Sequence, residues 1–373
     1  MARVGEGLVR SDLNNYASAS NLQLNEKVKE LMASGKQVYH LAFGQSPFPV
    51  VESARLVLAQ NADKNAYLPV AGISQLRNAI CEFHREFDGF EVFPDNVIVG
   101  PGSKELIFLL LAVFNGTAYA QEHWKALLPV LRQHNAIVLS DEIYGRLNFA
   151  DSHCSLVKFY PEGTILSSGL SKWASAGGWR VGYQIYPPQL RPLLDAVKRA
   201  ASHTYSCAAA PVQYAAVTYF TPSKESKAYI AHERRILAAV ADYSYQHLTE
   251  VGVRAVKPQG GFYMFPDFEV IRYALSNRGI TTAQQMCDAI FEEVLVALMP
   301  GGPAFLRPLT ELTVRMCFVN FDGSVALKAS VAIGLHSPLP EGFVEEHCML
   351  TAHGIQALKQ WILNQKASVS HDL

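Results

Sequence analysis

The stretch GLSKWASAGGWRVG at residues 169–182 does most to indicate how this chain folds and what it binds. It follows an apolar run at 164–168 that is typical of a strand, so Lys172 comes directly after a strand end, with the small hydroxyl residue Ser171 before it. A lysine held beside other cations loses its proton easily, can form an imine with an aldehyde and can then act as a base. Arg180, which begins the next apolar run, can hold a phosphate with its planar guanidinium group. A solvated lysine in a glycine loop is the ordinary alternative.

Two further strand ends carry turns or polar groups. An apolar run at 96–99 leads into a glycine turn at Gly102, and another at 136–140 ends at Asp141. Apolar strands separated by helices favour a parallel or mostly parallel sheet, and ligands in such sheets lie beyond the carboxyl ends of the strands. The sequence therefore predicts an α/β fold in which the Gly102 turn, Asp141 and Lys172 form one binding site.

The residues that follow the glycine turn predict a helix, Ser103 to Phe114, that begins at the site. Backbone N–H groups at Gly102, Ser103 and Lys104 would point at whatever lies there, and a phosphate is the natural ligand. An ordinary N-cap by Ser103 is the alternative. Glu105 stands where a dinucleotide-binding fingerprint would need its third glycine, so a nicotinamide dehydrogenase is disfavoured.

Composition excludes several classes of protein. Of the 373 residues 49% are hydrophobic and 17% charged, with a formal net charge of -1, which favours a packed fold over a nucleic-acid or membrane-surface binder. The longest apolar run, 106–114, is shorter than the roughly 20 residues that a membrane span needs. The cysteines form no CxxC pair, so we predict no metal site; reduced thiols and the lack of a visible secretory signal predict a cytoplasmic protein.

The stretch 169–182 resembles the lysine signature of the class I and II aminotransferases, which are pyridoxal phosphate (PLP) enzymes of fold type I, like aspartate aminotransferase. Further motifs resemble the same family in the same chain order, and the resemblance runs from about residue 25 to the C-terminus. They are Gly44 before Ser46-Pro47, Tyr67 to Gly72 followed by Leu76-Arg77, Gly102-Ser103-Lys104, the D-x-x-Y segment from Asp141 to Tyr144, and Val314-Arg315-Met316-Cys317-Phe318.

The resemblance implies a role for each matching residue. Lys172 would form the Schiff base and act as the general base and acid. Asp141 would pair with the pyridine nitrogen of PLP, and Tyr144 would bond to the ring oxygen. Substrate α-carboxylate would be bound by Arg315 and the backbone at Gly44. The PLP phosphate would be held by Ser171, Arg180, Gly102, Ser103, Lys104 and, from the neighbouring subunit, Tyr67.

The activity that the resemblance implies is transfer of an amino group between an L-amino acid and a 2-oxo acid by a homodimer with shared sites. Two alternatives stay open: a catalytically inactive isoform or regulatory partner of a full-length aminotransferase, and a PLP-dependent lyase on the same fold. The expected organisation is an N-terminal segment, 1–45, that packs with the small domain, a large PLP-binding domain, 46–220, and a small α+β domain, 221–373. The small domain should contain a strand pair around 260–265, whose Gly260-to-Tyr263 stretch fits the family and which we interpret as packing.

One departure from the family lies after the helix Ser103–Phe114. Relatives have more sheet there, with an aromatic residue that stacks on the cofactor and an asparagine that bonds to its ring oxygen. Here Asn115-Gly116-Thr117 joins this helix directly to a second helix predicted at 120–134, so the resemblance implies a segment missing between Gly116 and Thr117. Three of the seven family strands would be absent. The remaining four could still pair in order, with the strand that ends at Asp141 as a bare sheet edge, and a helix face that packs on the lost strands would be exposed. We therefore expect a shortened isoform or an incomplete gene model.

Overall fold

Strands alternate with helices in the first half of the computed structural model, which describes residues 20–113, 128–302, 305 and 307–370. The elements as far as the central sheet are α1 (Ser20–Ala33), β1 (Tyr39–His40), α2 (Glu52–Gln60), α3 (Ser74–Phe87), β2 (Val97–Gly100), α4 (Ser103–Val113), β3 (Val138–Asp141), β4 (Thr164–Gly169) and β5 (Gly182–Ile185). Residues 128–133 are helical, which agrees with the end of a helix predicted at 120–134. The beginning of that helix and the junction at Gly116 and Thr117 lie outside the described residues.

The second half of the chain is richer in helices. Its elements are α5 (Arg191–His203), α6 (Ala210–Phe220), α7 (Lys224–Glu250), β6 (Tyr263–Met264), α8 (Arg272–Asn277), α9 (Ala283–Val294), β7 (Val296–Ala297), β8 (Met299–Pro300), β9 (Val314–Cys317), α10 (Gly323–Ile333), α11 (Phe343–His347) and α12 (Met349–Ser370).

The central sheet has the strand order β2-β5-β4-β3. β3 and β4 are parallel neighbours, whereas β5 is antiparallel to both β2 and β4. Only β5 is therefore reversed, because the loop 170–181 contains a single 3-10 turn and no crossover helix of the kind that a parallel return requires. The predicted mostly parallel sheet is confirmed in strand direction, although two of its three neighbouring pairs are antiparallel.

The reversal of β5 brings Arg180 to the same sheet edge as the strand ends. Gly182, at the start of β5, pairs with Gly100 at the end of β2 and with Gly169 at the end of β4. A Cβ atom on Gly182 would lie 2.0 Å from the backbone nitrogen of Ser103, so the start of α4 rests directly on this edge. The ends of β2, β4 and β3 and the start of β5 therefore converge at this edge.

β3 is the outermost strand of this sheet in the part of the chain that the structure describes. It pairs with β4 alone, and its burial falls from a buried Val138 to an exposed Asp141. The prediction that the remaining strands pair in order, with the Asp141 strand at the edge, is confirmed. A helix face was expected to lose its cover as well, and Phe108 on α4 is 65% exposed.

Helices cover both faces of the sheet. α3 buries Leu76, Ala79, Ile80 and Phe83 in the main core, because positions three and four apart lie on one side of a helix. α4 and α5 cover the other face with a separate cluster, whose fully buried members include Leu106 of α4.

The C-terminal strands form a second, antiparallel sheet in the order β6-β9-β8. A strand pair expected around 260–265 is therefore wrong, since the single strand β6 pairs with β9. β1 pairs in parallel with β7, and Val28 and Val38 of the N-terminal segment pack on Ala297. These contacts agree with an N-terminal segment that packs on the small domain, but the domain boundaries at 45/46 and 220/221 stay predictions.

Candidate active site

A cavity of about 620 Å³ opens at the sheet edge where the strands converge. Its size is in the range of small-molecule and cofactor sites. Seven residues predicted from the sequence line it: Gly44, Ser103, Lys104, Asp141, Ser171, Lys172 and Arg180. The rest of its lining is formed by Phe43, Gln45, Ile107, Ile143, Gly177, Gly178 and Tyr263.

Lys172 lies half-buried in the cavity wall. Its Nζ atom donates a hydrogen bond to the carbonyl oxygen of Gly44 at 2.6 Å. The same atom lies 5.4 Å from the ring centroid of Tyr144 and 5.6 Å from that of Phe262. The amine is therefore held between a backbone carbonyl and two aromatic rings, with no carboxylate bonded to it among the described residues.

The surroundings of Lys172 favour its neutral form. Burial lowers the pKa of Lys172, and the positive charges of Arg315, Lys104 and Arg180 lower this pKa further, while Cys317 acts in the opposite direction. Both causes destabilise an ammonium ion relative to the free amine. The sequence-based expectation of a lysine among cations is confirmed in direction, and the arrangement suits a nucleophilic amine.

The glycine turn and Arg180 form an anion cradle. Gly102 has φ +95°, in a region that favours glycine, and a Cβ atom there would lie 2.1 Å from Nη2 of Arg180. Nη1 of Arg180 is anchored by a 2.9 Å bond to the carbonyl of Gly177. Ser103 begins α4 beside this guanidinium, so helix N–H groups and a cation meet at one point. A phosphate group fits this combination.

Asp141 ends β3 at the opposite side of the cavity. Its Oδ1 atom accepts a hydrogen bond from the backbone of Ile143 at 3.2 Å. The carboxyl group is accessible from the cavity. The protein packed around it raises the pKa of Asp141 by desolvation, and the negative charge of neighbouring Glu142 raises this pKa further. Lys172 and the Ile143 bond oppose this shift.

Three polar side chains anchor the segment after Asp141 by bonding to Glu142. Ser140 and Ser155 donate to its Oε1 atom at 3.0 and 2.7 Å, and His153 lies 2.9 Å from Oε2. This network fixes the backbone on which the cavity carboxylate and Tyr144 are mounted. Tyr144 does not line the cavity directly but lies beneath the lysine amine, and its ring packs edge-on against Phe262.

Arg315 lies behind the cavity wall on β9. Its guanidinium is 4.6 Å from the ring of Tyr263 and 5.1 Å from the ring of Phe305, and Nη2 donates to the carbonyl of Ala42 at 3.0 Å. Its Nε atom is buried without a hydrogen-bond partner in the described structure. Arg315 is half-buried, and a cation with an unpaired buried donor favours an anion nearby, so the position suits a carboxylate ligand.

Tyr263 is a site residue that the sequence analysis misses, since the Gly260-to-Tyr263 stretch reads there as packing. Phe262 is fully buried and does pack, but Tyr263 lines the cavity. A Cβ atom on Gly44 would lie 1.7 Å from the Tyr263 hydroxyl, so the tyrosine occupies the space that only a glycine leaves. Neighbouring residues of a strand point to opposite faces, and this alternation could have identified Tyr263.

Tyr67 is a predicted site residue that does not line this cavity. It is 90% exposed, on the loop before α3. The next residue is fixed, because the backbone N–H of Leu68 donates to Sγ of Cys207 at 3.5 Å. The side chain of Tyr67 is thus presented outward from an anchored backbone.

Among the described residues, no group of three or more His, Cys, Asp or Glu side chains is placed to hold a metal ion. No helix among them has the length and apolar character that crossing a bilayer would need. All six cysteines are free thiols.

Comparison with known proteins agrees with the geometry of the cavity. Residues 36–115 and 114–323 match the family Aminotransferase class I and II. The aspartate aminotransferase of Geobacillus stearothermophilus is 26% identical over 76% of this chain and 88% of its own length, and the asparagine–oxo-acid transaminase of Streptococcus mutans is 25% identical over 75% and 88%.

Solved structures show the same fold. The aspartate aminotransferase of Thermotoga maritima superposes with a TM-score of 0.74 at 20% identity, over 95% of this chain and all of its own. The aromatic aminotransferase of Pyrococcus horikoshii gives 0.71 at 18% identity, over 91% and 99%. With three quarters of its length matched by the family and the cavity at the expected strand ends, the chain belongs to the class I and II aminotransferases, PLP-dependent enzymes of fold type I that transfer amino groups.

Proposed function

We propose that the cavity at the sheet edge is the PLP site and that Lys172 is its Schiff-base lysine. The observation that carries the proposal is the convergence of an amine, a carboxylate and an anion cradle on one cavity. Lys172, Asp141 and Arg180 arrive from three different strand termini, yet all line the same space. PLP carries an aldehyde, a pyridine nitrogen and a phosphate, one for each of these groups, and supplies an electron sink when bound.

Each residue then has a role that its surroundings support. Gly102, Ser103 and Arg180 would hold the phosphate in the cradle, with Ser171 and Lys104 beside it. Asp141 would pair with the pyridine nitrogen. Tyr144, whose ring lies near the Lys172 amine, would bond to the ring oxygen.

Lys172 is also the proton carrier in this proposal. Its lowered pKa, from burial and neighbouring cations, makes the free amine available at a pH where an exposed lysine is an ammonium ion. With the cofactor and substrate bound, the Nζ atom would move the α-proton of the substrate. The Gly44 carbonyl, 2.6 Å away, supplies an acceptor that orients the amine.

Arg315 and the backbone at Gly44 bind the α-carboxylate of the substrate in this proposal. The unpartnered Nε atom of Arg315 and its position between two aromatic rings support this assignment. Aspartate is the donor that we propose to test first, because several relatives of this chain are named aspartate aminotransferases. Aromatic and alanine-type donors belong in the same screen.

A homodimer is the assembly that we propose. Tyr67, which in the family resemblance reaches the phosphate of a neighbouring subunit, is 90% exposed and does not line the cavity of its own subunit. This placement supports a contact across an interface. A molar mass from light scattering equal to one chain would overturn the dimer.

A missing segment between Gly116 and Thr117 remains part of the proposal. Two observations support it: the family match divides into two stretches that meet at 114–115, and the alignment with the Geobacillus enzyme spans 358 positions but only 76% of this chain, about 283 of 373 residues. Loss of a stacking aromatic and one hydrogen bond would cost about 2–3 kcal/mol of cofactor affinity. Full-length transcripts that encode this junction and nothing longer would refute an incomplete gene model.

The cytoplasm is the compartment that we propose, on the strength of six free thiols, three of them in intermediate positions rather than buried. The inactive-isoform and lyase alternatives gain no support from the relatives reported above, which are named as aminotransferases. The experiment below also separates an active enzyme from a chain that has lost its cofactor site.

Borohydride trapping tests the assignment of Lys172. Purified protein is incubated with PLP, reduced, digested and analysed by peptide mass spectrometry. A pyridoxyl adduct on Lys172 is the expected result, and it should disappear in Lys172→Ala, while Lys104→Ala, which removes another lysine of the cavity, should keep it. Adducts scattered over surface lysines, or none, would overturn the proposal. A separate, unreduced sample with PLP should be tested for 2-oxo acid formation from amino-acid donors, since elimination products would indicate a lyase.

A further inference from the structure

A completely buried carboxyl group lies behind the loop that carries Lys172. Glu233 on α7 is 0% exposed. Its Oε1 atom accepts a hydrogen bond from the Ser175 hydroxyl at 3.1 Å, and its Oε2 atom has no hydrogen-bond partner in the described structure. Glutamates are almost never fully buried unless they are paired, so this position requires an explanation.

The cations near Glu233 in sequence are engaged elsewhere. Arg234 pairs with Asp151, and His232 and Arg235 bond to Ser330. The titratable groups that act on Glu233 are Tyr229 on the same helix and Tyr219 on α6. Burial without a compensating cation raises the pKa of Glu233 well above its usual value, which favours the neutral carboxyl group.

Ser175, the partner of Glu233, is the centre of a hydroxyl cluster. Its Oγ atom lies 2.6 Å from Oγ of Ser46 and 2.8 Å from the hydroxyl of Tyr229. Its backbone N–H donates to the carbonyl of Lys172 at 3.2 Å. Ser175 has φ +54°, a conformation that is unfavourable for a residue with a side chain and that persists only where the surroundings impose it.

Ser46 connects this cluster to the other side of the lysine. It is buried in the turn 44–47, whose first carbonyl, that of Gly44, accepts the hydrogen bond from Nζ of Lys172. The Ser46–Ser175 bond therefore joins two loops, one that carries the lysine backbone and one that orients the lysine amine. Neither Ser175 nor Glu233 lines the cavity.

We propose that Glu233 is a positioning residue for Lys172: acting through Ser175, it holds the lysine loop against the turn 44–47 and so keeps Nζ on the Gly44 carbonyl. α7 is a rigid support, since a capping box at Ser223 and Ser226 fixes its first turn. The inference rests on the proposed function, because it takes Lys172 to be the reactive lysine.

The test measures the amine of Lys172 directly, without PLP. Protein is acetylated with acetic anhydride across a pH series, and mass spectrometry of the Lys172 peptide gives the reaction rate and the pKa of this amine. Glu233→Ala and Ser175→Ala should raise the rate at Lys172 about tenfold, a change equivalent to one buried hydrogen bond. Glu233→Gln, whose neutral amide can replace the carboxyl, should stay within about twofold of the parent.

A matched control is available on the same helix. Glu225 accepts a hydrogen bond from the hydroxyl of Ser53 at 2.8 Å, but this pair is exposed. Glu225→Gln should leave both the Lys172 rate and its pKa unchanged. If Glu233→Ala fails to fold, Ser46→Ala removes a single hydroxyl from the same cluster and should also raise the rate.

Two results would overturn the inference. The first is an unchanged rate and pKa at Lys172 in Ser175→Ala and Ser46→Ala, with only a lower unfolding temperature, since Glu233 would then serve packing alone. The second is a Glu233→Gln variant that behaves like Glu233→Ala, because a neutral hydrogen-bonding role would then be wrong. Failure of PLP trapping in the parent would instead refute the proposed function, and the acetylation measurement does not depend on it.

Discussion

Replacing Gly102 by alanine should weaken PLP binding by one to two orders of magnitude while the protein stays folded. The new Cβ atom would lie 2.1 Å from Nη2 of Arg180, so the guanidinium must move aside. It can do so, because it is the end of a flexible side chain, but it then leaves the anion cradle. Loss of a charge-assisted hydrogen bond costs about 1.5–3 kcal/mol, which is roughly 10- to 150-fold in the dissociation constant.

The same substitution has a second, separate cost. Gly102 has φ +95°, where a residue with a side chain is strained. This lowers the free energy of unfolding by about 1–2 kcal/mol whether or not PLP is bound. Urea denaturation of the protein without PLP measures this cost on its own, so it is not confused with the effect on affinity.

The assay is equilibrium dialysis with PLP and, in parallel, with pyridoxal, which lacks the phosphate. If the cradle holds the phosphate, Gly102→Ala should affect PLP but leave pyridoxal binding within about twofold of the parent. Gly178→Ala is the matched control, since Gly178 also lines the cavity but a Cβ atom there would meet nothing within 4 Å. Equal weakening of PLP and pyridoxal, or no weakening of either, would refute the assignment of the cradle.

Three further predictions concern other parts of the molecule. Arg315→Gln should raise the KM for every amino-acid donor by about 10- to 150-fold with little change in PLP affinity, because it removes a charge-assisted carboxylate contact outside the cradle; a loss of PLP binding instead would contradict this. Glu233→Gln should become increasingly stable relative to the parent as pH rises. Because the pKa of Glu233 is raised in the folded state, the folded parent holds a proton that the unfolded chain releases above about pH 4.5. The free energy of unfolding of the parent therefore falls by up to about 1.4 kcal/mol per pH unit until the folded-state pKa is reached. Urea denaturation at several pH values checks this, and equal slopes for parent and variant would contradict it. Phe108→Lys, on an apolar residue that is 65% exposed, should reduce aggregation measured by light scattering without lowering the unfolding temperature.

The sequence could predict the site because its residues follow strand termini. Lys172 and Asp141 each come at or directly after an apolar run, and such runs mark buried strands whatever their neighbours are. Which edge each terminus reaches depends on strand direction, and β3 and β4 run parallel although the connection 142–163 holds two 3-10 turns and no α-helix. Arg180 joins them only because the loop before it is too short for a crossover, so that its strand returns antiparallel.

Residues whose role depends on contacts distant in the chain escaped the sequence analysis. Glu233 stands in a long helix among other charged residues, a pattern that predicts a solvent-exposed face. Its Oε1 atom accepts a bond from the distant Ser175, and Tyr229 on the same helix bonds to the carbonyl of Pro49. No local periodicity reveals these contacts. Tyr263 is different, since the alternation of a strand could place it opposite the buried Phe262, and only its pairing with β9 depends on residues about fifty positions later.

The order of strands in the central sheet explains how the site geometry persists beside a bare edge. The phosphate cradle is built between β2 and β5, and the lysine loop follows β4, so both lie in the interior of the order β2-β5-β4-β3. Only Asp141 stands on the outermost described strand. Damage from a missing segment should therefore fall on the ring-nitrogen side of the cavity. Asp141 is fixed there by Ile143 and by the network around Glu142, neither of which belongs to residues 114–127. A chain with this sheet should therefore retain phosphate binding and the reactivity of Lys172 even where its contacts to the pyridine ring of PLP are weakened.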